Sequence, residues 1–526
     1  MKVFLKKFKN LKFIFKFIYI LITFLFSFST IYFINSLLLL KGIENGIRIG
    51  IMILFLIFLF LYILVSLLLL FTKKNKTFIF SSLFVVIICC AMIFLSSFIH
   101  KAYSSLEKMN EDSVTYSTSL ITLKGKSLNS ESIIGIIDNE DDVEGYILAN
   151  KLIKEKKVKY KELRKYNNYL DMLMDLYDGV NDGVLIGSNY VSTYSSYEVF
   201  SNIESATEEV MYLTESKKIN VNKTQKKVTE PFTVLLLGVD SETNGLKSNA
   251  SFNGDTMMLI SFNPATLNAT VFSIPRDTYV PISCYGNSKS KINASAAGGT
   301  DCVIKTVQNL TDINIDYYVK INFKGVVDLV EALEGIDIDV PVEFCEQDSN
   351  RNFANQICLK KGVQTLNGEA ALALARHRKT LLLGDFQRVQ HQQLVVEGII
   401  QKAKNIRSVN DFYDVLNAIS NNIETNMATE TLLDFYNVGK NVLMNNNIDN
   451  LNIEKTYLMG SDSHVYIPSL NSNVYIFEYS TESLKEITDE MKVTLGIKEA
   501  EVEKSFTYSV NENYETPVIG KKYLGN

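Results

Sequence analysis

The chain has 526 residues, with 53 Lys or Arg against 58 Asp or Glu, for a formal net charge of -5. A mildly negative chain is a poor partner for nucleic acid, whose phosphate backbone demands a basic surface. The apolar fraction of 47% is inflated by the first hundred residues, and the rest of the chain is long enough for roughly two or three domains.

The opening segment, 1–16, holds Lys2, Lys6, Lys7, Lys9, Lys12 and Lys16 and no acid. Uncharged runs come next at Phe17 to Leu40, Ile49 to Phe71 and Thr77 to Ile99. Each exceeds the ~20 residues that a helix needs to cross a ~30 Å hydrocarbon core. Three transmembrane helices are therefore predicted within 17–99. A cleaved signal peptide does not fit, because the first run is too long and no small-residue cleavage site comes after it. The lysine-rich N-terminus and the loop of Lys73, Lys74 and Lys76 outweigh the loop of Lys41, Glu44 and Arg48. Lysine-rich segments stay in the cytoplasm, so an odd number of spans exports the C-terminal domains from the cell membrane.

Residues 100–130, rich in Ser, Thr, Lys and Glu, read as a polar stalk. Over 131–212 the pattern alternates: an apolar run at Ile133 to Ile137, a helix at Val143 to Lys154 and a strand at Lys157 to Leu163. A helix at Tyr169 to Tyr177 and a run at Gly183 to Ile186 complete a β-α-β-α-β rhythm, the mark of a small α/β accessory module. In that rhythm, and in the stretch NDGVLIGSNY, the module resembles one lobe of the bacterial solute-binding proteins. A spacer that binds nothing is the alternative.

A Lys- and Asn-rich linker, 213–230, leads to a segment of different character, 231–405. Strands are predicted at TVLLLGVD, at Thr256 to Phe262 and at Ala269 to Pro275, with the turn Asn263-Pro264 between the last two. Helices at Asp301 to Leu310, Lys324 to Leu333, Gly368 to Ala375 and Asp385 to Ala403 alternate with strands at Asp316 to Asn322 and Ile336 to Val340. Consecutive strands joined by crossover helices give an α/β/α sandwich around a mixed central sheet, so the fold class is α/β. The remainder, 406–526, reads as helices at Val409 to Asn421 and Thr429 to Leu443, then, from about 450, a partly extended tail whose sequence says nothing about chemistry.

Asp240 closes the first strand of this domain and Asp255 opens the second, so one connecting loop brings both to the same rim of the sheet. Paired acids there suit magnesium, which favours one or two carboxylates and fills its shell with water and phosphate oxygens. An ordinary turn would use the same residues. The chain strongly prefers lysine and has only eight arginines, yet Arg276, Arg376, Arg378 and Arg388 all fall in this domain. Arginine is required where a planar, permanently charged fork must grip phosphate in two places. Ion pairs within the domain, with Asp277 and Asp385 as partners, are the competing explanation. Asp385, Arg388 and Gln392 stand at i, i+3 and i+7 and share one helix face. Phe386, Val389, Val396 and Ile400 form the neighbouring core stripe. An apolar floor beside such a clamp would suit a lipid phosphate.

Cys284, Cys302, Cys345 and Cys358 form two close pairs in an oxidising compartment, which suggests disulfides, with three connectivities open. Zinc finds no CxxC or nearby His pair. Cys89 and Cys90 lie in the third span as small apolar residues. With four histidines, no GxSxG, no HExxH and no Walker loop, the chain lacks the parts of serine hydrolases, zincins and P-loop enzymes.

Taken together, LLLGVD with Asp240, GDTMML with Asp255, SIPRDTYV, KINASAAGG, QTLNGEAALALARHR and GDFQRVQHQQ resemble the LytR-CpsA-Psr family. The resemblance covers about 231 to 405, and the three-span anchor is typical of its capsule-linked branch. It implies an enzyme that transfers a glycopolymer, of teichoic acid or capsule type, from a polyprenyl-pyrophosphate carrier to peptidoglycan. On the matching motifs, Asp240 and Asp255 would hold Mg2+, with Mn2+ as the alternative ion. Arg276, Lys291, Arg376, Arg378, Arg388 and Gln392 would bind pyrophosphate, with Asp385 completing the pocket; Arg276, Arg388 and Asp385 would serve catalysis, Asp385 as the base because it alone combines a carboxylate with the helix face of the clamp. Two positions depart from the family: Asn253 stands where an arginine usually precedes the second acid, and His391 replaces a second arginine in the DxxRxxRQQ pattern. Both lower the positive charge of the pocket. A lipid-phosphate binding or regulatory module without transfer, and a hydrolase using water as acceptor, are the rival readings.

Overall fold

The computed structural model describes residues 12–39, 45–108, 113–195, 197–218, 226–239, 252, 254–349, 355–378, 381, 385–403, 406, 409–428, 431–432, 434–435, 452–470 and 472–499. The chain divides into two compact units, Met1–Lys108 with Thr429–Asp434, and Met109–Ala428 with Phe435–Asn526.

The first unit contains helices α1 (Phe13–Leu39), α2 (Asn45–Phe71) and α3 (Asn75–Lys108), each long and apolar enough to cross a membrane. They meet through aromatic side chains. Phe26 stands edge-on to Phe58 and Tyr62, both at 5.7 Å, and Phe33 to Phe55 at 5.0 Å. Cys89 is buried in this packing and Cys90 is exposed. Phe80 and Phe94 are each 75% exposed, an apolar outer surface suited to lipid chains rather than water.

In the second unit, the accessory module is built from β1 (Ser113–Leu123), β2 (Ile133–Ile137), α4 (Ala149–Lys156), β3 (Glu162–Tyr166), α5 (Tyr169–Tyr177), β4 (Gly183–Gly187) and β5 (Thr207–Lys218). Its sheet runs β3-β2-β4-β1-β5. The first three strands are mutually parallel, while β1 and β5 are antiparallel. The segment expected to be a stalk thus supplies β1, which sits between β4 and β5. Its polarity misled because Thr118, Ser119 and Thr122 are buried with their hydroxyls satisfied, Ser119 by Ser188 and Glu209. The expected linker is shortened in the same way, since β5 continues to Lys218, opposite Ser113. The strand expected at Lys157 begins later, because Lys157 takes the left-handed conformation (φ 52°) that ends α4.

The main domain begins with β6 (Phe232–Val239), β7 (Gly254–Asn263) and β8 (Asn268–Ile274). A small hairpin, β9 (Tyr279–Pro281) and β10 (Lys289–Lys291), precedes α6 (Thr300–Thr311), β11 (Tyr317–Asn322) and α7 (Phe323–Ala332). Strands β12 (Ile336–Val340), β13 (Phe344–Gln347), β14 (Gln356–Leu359) and β15 (Gly362–Leu366) lead to helices α8 (Gly368–Arg376), α9 (Asp385–Ala403) and α10 (Val409–Ile419). The last elements are β16 (Ile423–Thr425), β17 (Asn452–Tyr457), β18 (Gly460–Ile467), β19 (Ser472–Tyr479) and α11 (Thr481–Thr494).

The central sheet is mixed, in the order β16-β11-β6-β7-β8-β17. One face packs Leu235, Leu237, Leu259 and Phe272 against Val303 and Val307 of α6 and Ile487 and Met491 of α11. On the other face α9 lies over β8, and Gln393 donates to Ser273 Oγ at 2.8 Å. This is the expected α/β/α sandwich. Both of its edges, β16 and β17, come from beyond residue 405, so part of the expected extension is integral to the sheet. The helix expected over Thr429 to Leu443 lies largely outside the described residues. Disulfides join Cys284 to Cys302 and Cys345 to Cys358, the latter directly across β13 and β14.

Candidate functional site

Strands β6, β8, β11 and β17 run in one direction, so Val239, Ile274, Asn322 and Tyr457 end at a common rim. Ligands of open α/β sheets collect outside such carboxyl ends. Val239 pairs with Gly254 across a bulge, which sets the residues adjoining Asp240 and Asp255 opposite each other. Asp240 and the side chains of Asp255 and Asp385 lie outside the described residues, as does Asn253. The described residues contain no group of three or more His, Cys, Asp or Glu placed to hold a metal ion. A donor set of two carboxylates fits an ion that takes the rest of its shell from water and substrate.

A cavity of about 200 Å3 opens at this rim. Arg376, Arg388 and Gln392 line it together with Ile321, Phe323, Val326, Leu372 and Ala375. Arg376 ends α8, a favourable place for a cation against the helix dipole. Its guanidinium donates to Asp348 O at 3.0 Å and lies over the Phe323 ring at 4.8 Å. Arg388 and Gln392, one turn apart on α9, reach the same cavity, and Gln392 donates to Ala375 O at 3.3 Å. The core stripe of α9 differs from expectation. Phe386 and Val389 pack on Tyr457 and Met459, whereas Val395, rather than Val396, joins the core of β12 and α8. Gly238 also lines the cavity, where a Cβ would stand 2.8 Å from that of Thr256. Sequence reasoning missed Asn322 and Phe323. Asn322 caps α7 by accepting from Gly325 N at 2.8 Å, a signal present in NFKG. Phe323, at a helix start, carried no signal.

The remaining predicted residues separate from this group. Arg276 Nε is 3.6 Å from Asp277 Oδ2, and Lys291 Nζ is 2.8 Å from Asp277 Oδ1. The ion-pair alternative therefore holds for Asp277, which bridges the two cations. Lys291 lines a second, larger cavity, of about 600 Å3. Arg378 is exposed and is not among the residues lining either cavity.

His391 is fully buried, and its ring is stacked with that of Phe344 at 6.4 Å. Burial, reinforced by nearby His377, pushes its pKa down to about 4. The imidazole is therefore neutral at physiological pH and does not stand in for a guanidinium. His377 stacks on Phe344 at 4.0 Å with Nδ1 3.3 Å from Glu346 Oε2. Burial lowers its pKa as well, outweighing the carboxylate.

The profile of the LytR_cpsA_psr family matches residues 195–493, more than half of the chain. The chain belongs to this family. It is 32% identical over 314 residues to TagU of Bacillus subtilis (strain 168), named polyisoprenyl-teichoic acid--peptidoglycan teichoic acid transferase; the match covers 59% of this chain and 92% of that one. TagU of Bacillus licheniformis is 34% identical over 285 residues, 53% of this chain and 84% of the relative. Among solved structures, B. subtilis TagV is similar at 30% identity, with 51% of this chain and 99% of that chain covered and a TM-score of 0.44. TagT bound to LIIa-WTA matches at 28% identity, with 52% and 96% covered and a TM-score of 0.40. The family match begins at residue 195, so most of the accessory module lies outside it.

Proposed function

We propose that the protein transfers a glycopolymer, of teichoic acid or capsule type, from a polyprenyl-pyrophosphate carrier to peptidoglycan. One observation carries this reading: Arg376, Arg388 and Gln392 line a cavity with the apolar side chains of Ile321, Phe323, Val326, Leu372 and Ala375, beside Gly238, Thr256 and Asn322. Guanidinium forks grip phosphate oxygens, and the apolar walls accept the first part of a lipid chain. The names of the TagU relatives support the same substrate class.

In the proposed reaction a peptidoglycan hydroxyl attacks the phosphorus that carries the glycan. A new P–O bond forms to the acceptor, the P–O bond to polyprenyl phosphate breaks, and the hydroxyl proton passes to Asp385. Arg376 and Arg388 stabilise charge developing on the non-bridging and leaving oxygens, the larger part of catalysis in such transfers. Arg276 and Lys291, paired with Asp277, and the exposed Arg378 do not line this cavity and are given no contact with the pyrophosphate. A magnesium ion held by Asp240 and Asp255, with manganese as a substitute, would neutralise pyrophosphate charge.

The test is transfer of a labelled lipid-linked glycopolymer to peptidoglycan by the purified full chain. Arg388→Ala is expected to lower the rate about 10²–10³-fold, the usual cost of one preorganised donor. EDTA should stop the reaction and added Mg2+ should restore it. Parental rates in Arg388→Ala would overturn the assignment.

A further inference from the structure

The larger cavity is shared by two modules. The accessory module contributes Asp138 and Asn139 after β2, Asn167 and Asn168 after β3, and Tyr194 and Tyr197. From the main domain come Phe252, Tyr279, Tyr285, Lys291 and Asn293, and Tyr466 reaches in from the β18–β19 hairpin. Because β2 and β3 are parallel, the cavity lies at the carboxyl ends of the accessory strands, the place where sheets of this kind hold ligands. Its volume, about 600 Å3, is that of a small-molecule site.

The walls specify a ligand chemistry. Six tyrosines offer flat apolar faces with hydroxyls at their edges, and four asparagines add amides, of which Asn168 is engaged with Asp171 and Asn139 Oδ1 accepts from Asp141 N. Formal charge balances, with Asp138 and Asp142 against Lys289 and Lys291. Most of it is already engaged: Asp138 with Lys165 Nζ at 2.7 Å, Asp142 with the Tyr169 hydroxyl at 2.7 Å, and Lys291 with Asp277 at 2.8 Å. A polyanion would gain little here and would meet two carboxylates. A neutral, hydroxyl- and amide-bearing ring with one apolar face fits all of these features, and that is the description of a sugar.

The cavity also adjoins the Lys291–Asp277 ion pair. Lys291 lies 6.0 Å from the Tyr197 ring and 5.5 Å from the Tyr475 ring. The hairpin is tied to both modules, since Leu470 enters the accessory core while Phe477 N donates to Asp277 O at 2.9 Å. A saccharide in the cavity would thus end near Arg276 and Asp277.

We infer that the accessory module and the main domain together form a binding site for a neutral N-acetylhexosamine strand. Resting on the transferase reading above, this places the acceptor glycan rather than the anionic donor polymer in the cleft. The probe is tetra-N-acetylchitotetraose, titrated calorimetrically into the full chain in nanodiscs. Asn167 and Tyr466 are exposed, so Asn167→Ala and Tyr466→Ala test the site without disturbing a core. Saturable binding is expected, weakened at least tenfold in each variant, while binding of polyprenyl phosphate stays within twofold of the parent. Such a result supports the site even if the protein transfers nothing, in which case only the transferase reading falls. No saturable binding by the parent, or equal affinity in both variants, would overturn it.

Discussion

His391 occupies a position that resembles an arginine site in its family, yet it sits in an environment that no cation would tolerate. Phe344 covers its ring, His377 stands beyond that ring, and the side chain is fully buried. Its lowered pKa, about 4, has a consequence for stability. Below pH 6.5 the unfolded chain protonates this histidine while the folded chain resists, so stability is complete above that pH and is lost progressively down to about pH 4. The full effect is on the order of 3 kcal/mol. His377, also lowered, acts in the same direction. His391→Gln should therefore melt at a similar temperature to the parent at pH 7.5 and well above it at pH 5. If both proteins lost the same amount of stability on acidification, His391 would not be the group responsible. The sequence shows the replacement of arginine but not its meaning. Whether a histidine there is charged depends on Phe344 and His377, which arrive from other elements.

Among the elements, β11 places Lys320 in the sheet interior, where only 2% of its side chain is exposed. Its Nζ is 2.6 Å from Glu424 on β16 and lies 4.9 Å from the Phe252 ring, and Tyr318 donates to the same carboxylate at 3.0 Å. Removing one partner of a buried pair leaves an uncompensated charge. Glu424→Ala is expected to cost about 3–5 kcal/mol. Denaturant titration of the full chain in detergent measures this, and a loss below about 1 kcal/mol, the range of solvated pairs, would mean that water reaches Lys320. Glu424 also marks where the sequence stopped being legible. Strands such as TVLLLGVD and helices such as α6 carry strong apolar periodicity and are readable, with ends shifted by a residue or two. The edge strand β16 has three residues and β17 has the polar sequence NIEKTY, so neither shows a pattern until a neighbouring strand is known. For the same reason β1, whose hydroxyls are matched by β4 and β5, looked like a stalk. The clamp was more legible than the edges, because Arg376, Arg388 and Gln392 sit on helices whose spacing fixes their faces. The ion pairs of Asp277 and the saccharide cleft were not, since both need residues from distant segments.

For the whole molecule, three independent features support the proposed export of the second unit. Lysine bias favours a cytoplasmic side for the N-terminus and the Lys73–Lys76 loop. The Cys284–Cys302 and Cys345–Cys358 disulfides need an oxidising compartment, which a reducing cytoplasm denies. The proposed donor and acceptor are a lipid-linked glycopolymer and a wall polymer, both outside. These arguments rest on different physics: electrostatics of insertion, redox chemistry and substrate location. Agreement among them is stronger than any one, because an error in loop charge counting would not also create two cysteine pairs. The anchor then does more than tether. On the proposed function it would confine the clamp to the same membrane as its lipid substrate, which raises the effective concentration of the pair without any added contact. Orientation can be checked directly with an epitope tag after Asn526 or before Met1. In intact protoplasts an external protease should remove the C-terminal tag and spare the N-terminal one. The reverse pattern would place clamp, cleft and disulfides in the cytoplasm, and the transferase proposal would fail with the orientation.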